Sequence, residues 1–85
     1  MSTDYQIGRA KLAVMEALDD LGATSREDAV PIGEVDERVG DLSRYSGRSN
    51  FKIIQEMLRD QTIEATFDTP ITVWLTPKGL ECFRG

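Results

Sequence analysis

An α+β fold follows from three features of this sequence. Apolar residues recur at three- and four-residue steps over residues 7–21 and 51–58, they fall at every second position in the runs 63–67 and 71–75, and turn-forming residues separate these segments. At 85 residues the chain is expected to form one domain, residues 1–85, with a single small core.

The first helix is predicted over residues 4–21, where Ile7, Ala10, Val14, Leu18 and Leu21 form the apolar stripe. Thr3 and Gln6 stand at capping-box spacing with Asp4 in the first turn, and Gly22 suits the left-handed position that ends a helix. Residues 23–28 read as a polar loop. Pro31 disfavours helical geometry at Val30, so residues 29–32 are predicted as a short edge strand. Residues 33–39 fit a two-turn helix with Val35 and Val39 on its buried side, broken by Gly40. After a turn over 40–46, Ser46 is predicted to cap a third helix over 47–60. Its apolar side would hold Phe51, Ile54, Met57 and Leu58, with Ile53 at the margin.

Ile63, Ala65 and Phe67 then alternate with Glu64 and Thr66, and Ile71, Val73 and Leu75 with Thr72 and Trp74, as two strands joined by Asp68, Thr69 and Pro70. Trp74 is out of phase with the apolar positions, so it either covers the hairpin's outer face or packs against the third helix or a partner. Thr76 is predicted to cap a short last helix with Pro77 at its first position, where the missing N–H costs nothing. Val14, Leu18, Phe51, Ile54, Leu58, Ile63 and Leu75 are the expected core.

The residue inventory restricts chemistry. There is no His and a single Cys, so zinc sites, imidazole bases and an internal disulfide are not expected, and Cys82 reads as a small packed hydrophobe. No carboxylate sits in an apolar context that would suit acid–base work. An enzyme is not expected, nor is a cofactor. No run approaches the roughly 18 apolar residues of a spanning helix, and Met1 leads into Ser2, Thr3 and Asp4 without the basic and apolar regions of a signal peptide, so a cytoplasmic protein with no membrane partner is expected.

Net charge is −5 and unevenly spread. Residues 1–41 carry 4 basic and 10 acidic side chains, residues 42–59 carry 4 and 1, and residues 60–85 carry 2 and 4. The basic window coincides with the third helix. At 100° per residue Arg48, Lys52, Gln55 and Arg59 fall within about 60° of one another, opposite the apolar side. Only 3 of the 10 basic residues are Lys, and low Lys with abundant carboxylates suits a surface in high salt, where charge repulsion is screened.

Helix, short strand, helix, turn, helix and two-stranded hairpin is the order of a winged helix-turn-helix domain: a three-helix core with a short strand and a C-terminal wing, here followed by a short last helix. Within it, the stretch from Val30 to Gly79 resembles the winged-helix transcription regulators of the MarR and PadR type. Leu75-Thr76-Pro77-Lys78-Gly79 is similar to the LTPKG that closes the wing in many of them. The resemblance implies sequence-specific binding of double-stranded DNA, usually by a dimeric repressor, with the third helix in the major groove. The chain departs from the family pattern in its longer turn over 40–46, in Gln61 and Thr62 where a Gly usually follows the third helix, and in a wing that bears Glu64 and Asp68 but no basic residue.

The DNA-contacting residues expected on this reading are Arg48, Ser49, Lys52, Gln55 and Arg59, with Arg44, Tyr45 and Ser46 in the preceding turn, although Tyr45 equally suits covering the end of the second helix. Tyr5, Gly8, Leu12 and Met15 lie off the first helix's core stripe and, with Phe83, are expected at a homodimer interface that would space two recognition helices along a pseudo-palindromic site. The rival expectation is a winged-helix module that binds another protein, since this fold hosts both uses.

Overall fold

The computed structural model describes residues 3–84. The Thr3 side chain of the predicted capping box lies outside what is described. Helix α1 (Thr3–Asp20) leads through a 3₁₀ turn at Arg26–Asp28 to strand β1 (Val30–Pro31), helix α2 (Ile32–Val39), a single helical turn α3 (Ser43–Ser46) and helix α4 (Asn50–Asp60). Strands β2 (Ile63–Thr66) and β3 (Thr72–Leu75) and helix α5 (Pro77–Arg84) complete an α+β fold. The sheet is antiparallel in the order β1-β3-β2, with Val30 opposite Val73, and Ile63 and Ala65 opposite Leu75 and Val73. No helix among the described residues is long and apolar enough to cross a membrane.

Helix α1 is the centre of the packing, touching α2, α3, α4, α5 and β3. Ile7, Ala10, Val14 and Leu18 are buried as their spacing predicts. Because neighbours surround α1 on several sides, the buried arc is wider than that of a surface helix and takes in Ala17 and Met15, the latter only 5 % exposed. Met15 is therefore a core residue, which corrects its expected place at a dimer interface. Helix α1 ends as predicted: Gly22 is left-handed (φ 73°), and the Ala23 N–H reaches back to the Leu18 carbonyl at 2.9 Å.

The turn before α4 holds more structure than the sequence predicts. Leu42 is fully buried at the entrance to α3, and the Ser46 hydroxyl donates to the Leu42 carbonyl at 2.7 Å. The cap of α4 is Ser49, not Ser46: the Ser49 hydroxyl accepts the Lys52 N–H at 3.2 Å, and the helix starts three residues later than expected. Its phase differs as well. Ile53, Ile54 and Met57 are buried, Leu58 is half-buried and Phe51 is 59 % exposed, which removes Phe51 from the core. The cause is Asn50. Its carboxamide accepts the Leu42 N–H at 2.9 Å and donates to the Gly40 carbonyl at 2.7 Å, and residues 50, 53, 54 and 57 share one helix face. Anchoring Asn50 inward turns Phe51, one residue on, toward solvent.

Helix α4 ends in a left-handed Gln61 (φ 65°), with the Thr62 N–H bonded to the Met57 carbonyl at 3.1 Å. A Gln thus fills the conformation that glycine adopts most readily. The Leu75-to-Gly79 segment clamps this helix end. Leu75 is buried, the Thr76 hydroxyl donates to the Gln61 carbonyl at 2.7 Å and accepts the Gly79 N–H at 3.0 Å, and the Lys78 ammonium donates to the Asp60 carbonyl at 2.8 Å. A Cβ on Gly79 would overlap the Thr62 carbonyl, so only glycine fits there without a shift. Cys82 is exposed on α5 rather than packed, because the helix turns Gly79 and, less completely, Leu80 and Phe83 inward.

Candidate nucleic-acid interface

The outward face of α4 follows from the Asn50 anchor. With Asn50, Ile53, Ile54 and Met57 turned inward, Lys52, Gln55 and Arg59 are exposed together, and they border one shallow depression with Arg48. Among the described residues Lys52, Arg59 and Arg44 have no ion-pair partner. Arg44 projects from the exposed side of α3. Beside it, the Ser43 hydroxyl and amide both donate to the Asp41 carboxylate, and these bonds, helped by the Arg44 charge, hold the Asp41 carboxyl below the usual carboxylate range.

Arg48 is different. Its guanidinium pairs with Glu56, and Glu56 also faces the Lys11 ammonium at 3.5 Å, which in turn donates to Asp60 at 2.9 Å. The Arg48 charge is thus largely answered within the protein, while the other three cations of this window face solvent. No family model, curated protein or solved structure matches the chain. The chemistry of the face therefore rests on its own geometry: two exposed cations and an amide on one helix side, with a third cation on the preceding turn.

The remaining site residues divide. Ser46 is buried, its hydroxyl engaged by the Leu42 carbonyl and by the Arg48 N–H at 3.1 Å, so it organises the turn and is not available to a ligand. Ser49 is exposed with its hydroxyl capping α4. Tyr45 is half-buried against the core, and the Arg9 guanidinium lies 5.1 Å from its ring centre, a cation–π contact. On α1, Tyr5 and Leu12 are exposed, Gly8 is half-buried, and Phe83 of α5 is half-buried against the core.

Nothing in the local pattern marks Arg9, Lys11 or Glu56, since each acquires its role only when α1 lies against α3 and α4. Nor does it mark Arg26, which borders the outer face of the hairpin with Glu64, Asp68 and a half-buried Trp74. No group of His, Cys, Asp and Glu that could hold a metal ion occurs among the described residues.

Proposed function

We propose that this chain is a winged-helix domain that binds double-stranded DNA by laying the exposed face of α4 in the major groove, and that it acts as a transcriptional regulator of the repressor kind. The observation that carries this reading is the set Lys52, Gln55 and Arg59 on the exposed face of α4, with Arg44 on the preceding turn: an amide and cations without an ion-pair partner among the described residues, in an otherwise acidic protein. Guanidinium and ammonium groups suit phosphates and guanine edges, and a Gln amide suits adenine. The helix–turn–helix from α2 to α4, the β2–β3 hairpin after it, and the LTPKG-like clamp at the base of that hairpin support the same reading. So does the resemblance to MarR- and PadR-type regulators.

Binding as a homodimer through Tyr5, Gly8 and Leu12 of α1, with Phe83 of α5, belongs to this proposal, because one small module contacts few base pairs. The acidic balance, −5 overall, favours a second reading as a protein-binding module. Adding duplex DNA to the isotope-labelled protein at low salt separates the two. Amide shifts at residues 44–59 are expected; shifts confined to other residues, or none, would overturn the DNA reading.

A further inference from the structure

We propose that Phe51 reads thymine methyl groups, so that the duplex engaged by α4 is selected partly by the 5-methyl of T. This inference rests on the DNA-binding reading above and adds to it the chemistry of specificity.

Phe51 is the second residue of α4, lies between Arg48 and Lys52 in sequence, and is 59 % exposed. The Asn50 anchor fixes that exposure, so the ring is held out by the fold. Beside it, between α4 and the hairpin, is an apolar cleft of about 130 Å³ bordered by Phe51, Leu58, Ile71 and Phe67, with Gln55 its one polar residue. Phe67, just past β2, is 74 % exposed.

The surroundings restrict what meets this ring. Lys52 and Arg59 are unpaired among the described residues, so the occupant carries negative charge, yet at Phe51 it must present an apolar group. Duplex DNA offers one substantial apolar group in the major groove, the thymine methyl, since the other base-edge features there are donors, acceptors or the bare C5–H of cytosine. Residues near the N-terminus of a groove-entering helix are those that reach base edges, and Phe51 holds that position. Gln55, one turn further, has the amide geometry that pairs with adenine N6 and N7. Phe51 and Gln55 together therefore select an A·T-containing step, and the cleft beside the ring has room for a methyl without displacing a packed side chain.

Replacing thymidine by deoxyuridine removes the methyl and nothing else. Binding of the full chain is measured by fluorescence anisotropy at fixed low salt to one A·T-rich duplex of about 20 base pairs, roughly two helical turns, made with thymidine and then with deoxyuridine. The expected result is about fourfold weaker binding per contacted methyl, the worth of one buried methyl group, and a ratio near one for Phe51→Ala. Because Phe51 is exposed, that variant is expected to fold, which circular dichroism checks. Equal affinity of the unmodified protein for both duplexes would overturn the inference and leave DNA binding standing, as would an undiminished ratio in Phe51→Ala. Absence of binding to either duplex would overturn the DNA reading itself.

Discussion

The Oδ1 of Asn50 accepts the backbone N–H of Leu42 at 2.9 Å, which ties the first turn of α4 to the entrance of the α3 turn. The same side chain donates to the Gly40 carbonyl at 2.7 Å and to Asp36 at 3.2 Å, so one carboxamide satisfies the backbone of a chain reversal and fixes the rotation of α4. Asn50→Ala leaves a part-buried amide and a carbonyl without their partner. Urea unfolding is expected to show a loss of about 1–3 kcal/mol. Asn50→Asp keeps the acceptor but removes the donor and sets a second carboxylate beside Asp36, so it is expected to be destabilised as well. Wild-type stability in both variants would contradict the anchor.

At the other end of α4, Gly79 packs its backbone onto Thr62. An added methyl would overlap the Thr62 carbonyl and come within 2.8 Å of Leu75 Cδ1. Gly79→Ala is expected to cost about 1–3 kcal/mol, as overpacking does, read as a lowered thermal midpoint. Gly33→Ala, which meets nothing within 4 Å and lies within α2, is the matched control and is expected to be neutral or slightly stabilising.

Glu56 restrains two cations at once. Glu56→Gln removes its charge from between Lys11 and Arg48, leaving Lys11 paired with Asp60 and Arg48 without a carboxylate among the described residues. Tighter binding to duplex DNA is expected, with a plot of log affinity against log salt steeper by about 0.9 if Arg48 then takes one phosphate. Unchanged affinity and slope would place Arg48 away from the nucleic acid.

With Met15 in the core, the proposed dimer face of α1 narrows to Tyr5, Gly8 and Leu12, where Tyr5 is 65 % and Leu12 47 % exposed. Sedimentation at micromolar concentration is expected to report twice the chain mass, and Leu12→Glu a folded monomer. A monomeric unmodified protein, even with DNA present, would rule this face out.

Features set by neighbouring residues were readable from sequence: the Ile7, Val14 and Leu18 stripe, the Gly22 terminus, the hairpin, and the Thr76 cap with Pro77 behind it. Those decided by a distant backbone group were not. A 3.6-residue period over residues 50–58 fits two phases, Phe51 with Ile54 and Leu58, or Asn50 with Ile53, Ile54 and Met57, and both contain Ile54. The bonds from Asn50 to Gly40 and Leu42, together with the packing of α4 against α1 and β2, choose between them. Ser46 and Ser49 are equally plausible caps by composition, and the burial of Leu42 assigns Ser46 to the turn. Within the candidate site, Lys52, Gln55 and Arg59 were legible because their spacing puts them on one face in either phase. The Glu56 restraint on Arg48 was not, because the carboxylate lies two turns along the helix and is shared with α1.

The salt dependence of binding tests the central claim most directly. If Arg44, Lys52 and Arg59 each neutralise one phosphate, log affinity for duplex DNA is expected to fall against log salt with a slope of about −2.7 for one chain and about −5.4 for a dimer with both helices engaged. Lys52→Ala is expected to reduce the slope by about 0.9 per chain. An affinity indifferent to salt, or no affinity at low salt, would contradict the account.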